Sequence, residues 1–84
     1  MKPCLAYAGN SQWRQLQHVA GELLEVAAAL LRRDYAHAAE ELVDVQVACE
    51  TLLHILGYSD LDRQLWRAYV DNKNEVRGYH KEAE

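Results

Sequence analysis

Phenylalanine is missing from this chain, and its one proline is the third residue. Beyond Pro3 nothing forbids long uninterrupted helices. No apolar run approaches the roughly 20 residues of a membrane span, and the first residues lack the apolar stretch of a secretion signal. Positive charge is scarce: nine Lys and Arg against thirteen Asp and Glu give a formal net charge of −4. That balance disfavours a broad nucleic-acid-binding surface. Cysteine is limited to Cys4 and Cys49, widely spaced in a chain with no recognisable secretion signal. The expected setting is reduced and cytoplasmic, with Cys49 a small core residue rather than half of a disulfide. Internal repeats, low-complexity stretches, Gly-rich phosphate loops and Ser/His/Asp arrangements are absent as well, which leaves P-loop and triad chemistry without a carrier.

What is present is a helical pattern. Half of the 84 residues are apolar, yet the mean hydropathy is negative, as suits a small all-α domain. A chain this short buries only about 60% of its unfolded surface, so oligomerisation is expected. Residues 1–10 carry turn formers and read as an N-terminal arm; residues 11–80 form the single helical domain, and 81–84 a C-terminal tail. Ser11 is placed to cap a first helix, whose apolar stripe is Leu16, Val19, Ala20, Leu23, Ala27 and Leu30. Glu25 falls opposite that stripe and Glu22 at its border.

After a reversal at Arg33-Asp34, a second helix runs from about Asp34 to Leu56 and stops at Gly57. It is apolar almost all round. Tyr35, Ala38, Ala39, Leu42, Val45, Cys49, Leu52, Leu53 and Leu56 make one broad face, and Val43, Val47, Ala48 and Ile55 lie elsewhere. A helix of that kind must be buried on several sides, and a second copy of the chain is the expected cover. Ser59 and the acids Asp60 and Asp62 open a third helix, with Leu61, Leu65, Trp66, Tyr69 and Val70 expected to pack inward.

The chemistry concentrates in two acidic pairs, Glu22 with Glu25 and Glu41 with Asp44. Each is spaced i,i+3, which puts both carboxylates on one helix face. The pairs sit about 9.5 residues either side of position 33, roughly 14 Å along each helix. Folding back as an antiparallel hairpin therefore brings four carboxylates level. From His18 to Leu56 there are seven acids and only two fixed cations, Arg32 and Arg33. None of the four carboxylates has a Lys or Arg three or four residues away. A converging quartet repels itself unless a cation sits between its members. Carboxylate oxygens without cysteine or regularly placed histidine suit Mg²⁺ or Mn²⁺ better than Zn²⁺. The plainer alternative is a set of solvated surface acids.

Glu22-x-x-Glu25, fifteen intervening residues and Glu41-x-x-Asp44 resemble the signature of the MazG-like nucleotide pyrophosphohydrolases, in the all-α NTP pyrophosphatase superfamily. The stretch Lys73-Asn74-Glu75-Val76-Arg77-Gly78-Tyr79-His80 is similar to the basic tail that follows the helical core in part of that family. The resemblance spans roughly His18 to His80. One departure is Gly21, where the family usually has the first of two consecutive glutamates.

The resemblance implies a nucleoside triphosphate substrate cleaved between its α- and β-phosphates, giving a monophosphate and pyrophosphate, with nucleotide-pool house-cleaning as the expected role. Glu22, Glu25, Glu41 and Asp44 would hold Mg²⁺, with Mn²⁺ as the other candidate, and one carboxylate would serve as general base. Lys73, Asn74 and Arg77 would neutralise phosphate charge; the alternative for that tail is an ordinary helix end. Trp13 and Gln17 are placed to stack on and hydrogen-bond a nucleobase, or, for Trp13, to fill an interface. His18 either orients a carboxylate or is a surface histidine. The expected assembly is a homodimer or a dimer of dimers, with no membrane or nucleic-acid partner. Two other functions fit the same residues: a catalytically weak or inactive nucleotide-binding relative, and a non-enzymatic helical dimerisation module. A di-iron bundle fits less well, because it wants Glu-x-x-His motifs.

Overall fold

A computed structural model describes residues 1–82; the last two residues of the 81–84 tail fall outside the described part. The architecture is all-helical. A short 3₁₀ turn at Leu5–Tyr7 precedes α1 (Gln12–Leu31), α2 (Tyr35–Ile55) and α3 (Asp60–Val76). Among the described residues no helix is long and apolar enough to cross a membrane.

Local signals set the boundaries. Ser11 caps α1 by accepting the Arg14 N–H at 3.1 Å. The reversal is compact because Asp34 serves both helices. Its own N–H donates to Ala29 O and closes the end of α1, while its Oδ1 accepts the His37 N–H and caps α2. Arg33 takes the left-handed position at φ 58, where glycine is usual and any other residue costs about 1 kcal/mol. Gly57, at φ 95, fills the equivalent position after α2 without that cost. Ser59 and Asp62 then form a reciprocal capping box at the start of α3.

The hairpin of α1 and α2 closes on a seam of small and polar residues. Val19, Val26 and Ala29 of α1 are buried with Ala38 and Ala48 of α2. Gln15 and Thr51 are completely buried beside them. Alanines at the seam let the helices approach closely, and the polar groups are satisfied: Gln15 Nε2 donates to Ala48 O at 3.1 Å, and Thr51 Oγ1 donates to Val47 O at 2.9 Å.

Three expectations of the sequence are corrected here. The stripe of Leu16, Ala20, Leu23, Ala27 and Leu30 is not the hairpin seam; of that set with Val19, only Val19 is buried, and the leucines are about half exposed. The seam lies on the neighbouring face, where shorter side chains allow tight contact. Cys49 is exposed, and Ala48 beside it takes the core position. On α3, Leu61, Leu65, Trp66, Tyr69 and Val70 are exposed rather than packed inward. Trp66 meets Tyr58 and Tyr69 edge-on, with ring centroids 6.3 and 5.7 Å away, so its aromatic contacts are local to α3 and the turn before it.

An ion network anchors α3. Glu50 of α2 is almost fully buried and accepts from Arg63 Nε and from Arg67 of α3. Arg63, itself 3% exposed, also donates to Tyr58 O at 2.6 Å. A buried carboxylate with two guanidinium partners is compensated, and it fixes where α3 leaves α2.

The arm is tied to the hairpin as well. The Cys4 N–H donates to Thr51 Oγ1 at 2.8 Å, and Asn10 Nδ2 donates to Gln15 Oε1 at 3.1 Å. The Tyr7 ring lies 5.0 Å from that of His18.

Candidate metal centre

The antiparallel hairpin brings the acidic pairs level. One carboxylate oxygen from each of Glu22, Glu41 and Asp44 lies within 4.8 Å of the other two. Glu22 is half-buried, Glu41 buried and Asp44 exposed, so the group grades from the seam outward. Glu25 is exposed, and its carboxyl lies within hydrogen-bonding reach of Glu41.

Glu41 is pushed from 4.5 up to about 7. Its largest cause is hydrogen bonding with the Glu25 carboxyl, followed by burial, hydrogen bonding with Glu22 and the negative charges of both neighbours. The chemistry is straightforward. Among the described residues, ionised Glu41 finds no donor for its buried Oε2, and Glu22 Oε2 is likewise buried without a partner. Protonated, Glu41 becomes a donor to acids beside it. The site therefore needs a positive charge, and a proton is the minimal one.

A divalent cation fits the same need. Two oxygens bound to one cation can be no further apart than twice the metal–oxygen distance, about 4.2 Å for Mg²⁺ and about 5 Å for Ca²⁺. The three carboxylates, within 4.8 Å of one another, meet the wider limit, and a smaller ion needs them to draw in by a few tenths of an ångström. The donors are hard oxygens, as Mg²⁺ and Mn²⁺ prefer. The two orphaned buried oxygens are what a cation would satisfy.

A cleft of about 220 Å³ adjoins the acids. The arm contributes Cys4 and Tyr7 to its wall, α1 contributes His18 and Glu22, and α2 contributes Asp44 and Thr51. Trp13 is 68% exposed, Gln17 is exposed, and neither lines this cleft. Lys73 and Asn74 are half-buried near the end of α3 and Arg77 is its exposed C-cap. None of the three lines the cleft either. The Arg77 guanidinium lies over the Tyr79 ring, 5.9 Å from its centroid. Thus the hairpin brings Glu22, Glu41 and Asp44 together, with Glu25 beside Glu41, and the single chain does not bring the basic tail, Trp13 or Gln17 to the cleft next to them.

His37 was not singled out in the sequence, whereas His18 was read there as orienting a carboxylate or as a surface histidine. His37 Nε2 stands 3.4 Å from Glu41 Oε1, and His18 Nε2 stands 3.6 Å from Glu22 Oε1. Histidine is thus placed regularly, four residues before the first acid of each pair. The signal was available as His-x-x-x-Glu-x-x-acid, occurring once in each helix with the same 19-residue offset. Gly21 is exposed, and a Cβ built there meets nothing within 4 Å, so packing does not require the glycine. Comparison with protein-family models, with curated proteins and with solved structures found no match to this chain.

Proposed function

We propose that this protein is a metal-dependent nucleoside triphosphate pyrophosphohydrolase of the MazG-like kind, working as a homodimer or a dimer of dimers. The observation that carries the reading is the cluster of Glu22, Glu41 and Asp44, with two buried oxygens, on Glu22 and Glu41, that have no hydrogen-bond partner among the described residues. Such a group is costly for a surface that only solvates charge and useful for one that holds Mg²⁺ or Mn²⁺. The bound cation would offset phosphate charge and make nearby water more acidic.

The chain's own residues supply the rest. Glu22, Glu41 and Asp44 hold the cation between the helices, and Glu25, the more exposed neighbour, is free to accept a proton from water. Lys73, Asn74 and Arg77 stabilise charge on the phosphates and the departing pyrophosphate. Because they do not line the cleft of their own chain, this role calls for a second copy. Exposed Leu16, Leu23 and Leu30 on α1 and Leu65, Trp66 and Val70 on α3 offer the apolar surface for it. Cleavage between the α- and β-phosphates comes from the family resemblance; the geometry itself reaches metal-assisted phosphoanhydride hydrolysis.

The test is product identification. With Mg²⁺ and a panel of standard and oxidised nucleoside triphosphates, ³¹P NMR should show a nucleoside monophosphate and pyrophosphate. Release of a diphosphate and orthophosphate would refute the assigned bond, and intact nucleotides would refute the enzyme.

A further inference from the structure

Glu22 and Glu41 occupy equivalent places in the two helices of the hairpin, and each has the same companion. His18 is four residues before Glu22, and His37 four residues before Glu41. On a helix, side chains lean toward the N-terminus, so a residue at i+4 reaches back over residue i. The histidine is therefore on the side from which a ring nitrogen can meet the glutamate. In both pairs Nε2 faces Oε1, at 3.6 Å for His18 and 3.4 Å for His37. In both pairs it is the other oxygen, Oε2, that is buried and has no partner among the described residues. The Glu41 side chain is only 9% exposed, so its free oxygen cannot turn to bulk water for compensation.

The His18 imidazole has a further contact, and the His37 backbone is fixed independently of Glu41. The His18 ring packs against Tyr7, which the arm delivers through the Cys4–Thr51 hydrogen bond. The His37 backbone is fixed in the first turn of α2 by the Asp34 cap. The two histidine side chains are 35% and 40% exposed, so neither is needed as core filling. Nor does either ring nitrogen join the set of mutually close ligand atoms, which contains only Glu22, Glu41 and Asp44 among the described residues.

We infer that His18 and His37 are paired positioning residues: each engages Oε1 of its glutamate and so presents Oε2 to a divalent cation held by the acidic layer. They act through the carboxylates and do not ligate the cation themselves. The more familiar arrangement has a carboxylate orienting a metal-bound histidine; here the order is inverted, as hard oxygen ligands require. This inference rests on the cation-binding reading given above, and it adds that the two glutamates are oriented from outside the ligand set.

Mn²⁺ alone is the probe, with free Mn²⁺ measured by electron paramagnetic resonance during titration of the full-length protein. His18→Leu and His37→Leu should each weaken binding about tenfold or more, the effect of removing an outer-shell partner. His18→Gln and His37→Gln should stay within about threefold of the parent, because the glutamine amide nitrogen reproduces the Nε2 donor. Should His37→Leu fail to fold, the His18 pair on the other helix carries the same comparison. Pulsed resonance of the bound Mn²⁺ should show no coupling to a directly ligated imidazole nitrogen.

Leucine variants that bind Mn²⁺ as tightly as the parent would overturn the inference while leaving the metal site standing. Glutamine variants as weak as the leucine ones would overturn it by denying a role to the donor, and a strong nitrogen coupling would make the histidines ligands instead. A parent protein that does not bind Mn²⁺ would remove the cation-binding reading and this inference together.

Discussion

Changing the pH from 8 to 6 sets a proton against the cation at Glu41. With a pKa of about 7, Glu41 is about nine-tenths ionised at the upper value and about one-tenth at the lower. A cation that needs the ionised form loses apparent affinity in the same ratio, about tenfold across the interval. Calorimetric titration with Mn²⁺ at pH 6, 7 and 8 measures this directly. Glu41→Gln should bind weakly and lose most of the pH dependence in this range, since the amide keeps the shape and deletes the titrating group. An unchanging Mn²⁺ affinity in the parent, or an undiminished slope in Glu41→Gln, would refute the reasoning.

The same group gives the metal-free protein a stability signature. In the unfolded chain Glu41 titrates near 4.5 and in the fold near 7, so between these values only the folded state keeps the proton. Its contribution to stability is fully present below about 4.5 and is lost as the pH rises through about 7. Added divalent cation should restore stability mainly above that point.

Other consequences are simpler to state. Glu50→Ala leaves the buried Arg63 without its carboxylate and should cost about 3–5 kcal/mol, read by urea denaturation; a loss under about 1 kcal/mol would contradict the anchoring role given to that network. Arg77→Ala should lower kcat/KM by roughly ten- to a hundredfold, the worth of one charge-assisted hydrogen bond. Stability should change by no more than about 0.5 kcal/mol, and Lys73→Ala should behave alike; full activity would return the tail to an ordinary helix end. Sedimentation at micromolar concentration should show a dimer or tetramer, shifted toward monomer by Leu23→Arg on the exposed α1 stripe; a folded monomeric parent would refute the assembly.

The parts of this fold that were legible in the sequence are those fixed by local chemistry. Ser11, Asp34, Gly57 and the Ser59/Asp62 pair mark helix ends through bonds that span a few residues, and the equal distances of the acids from one turn set their common level. What the sequence hid is the choice among faces. Hydropathy marked the leucine stripe of α1 as interior, but the seam selected the adjacent row of Gln15, Val19, Glu22, Val26 and Ala29, where small or hydrogen-bonded side chains permit closeness. An apolar pattern cannot tell a surface meant for the same chain from one meant for another. The Glu50–Arg63–Arg67 network escaped notice because its members are joined across a turn whose geometry no local spacing reports. His18 was legible from its place one turn before Glu22, whereas His37, at the same spacing before Glu41, was not, because a lack of lysine and arginine partners says nothing about an imidazole.

Diffraction from crystals soaked in Mn²⁺, collected where manganese scatters anomalously, tests the central claim most directly. The account predicts an anomalous peak among the carboxylates of Glu22, Glu41 and Asp44, lost in Glu41→Gln crystals. A fully soaked crystal with no peak there, or with manganese bound only elsewhere on the chain, would contradict it.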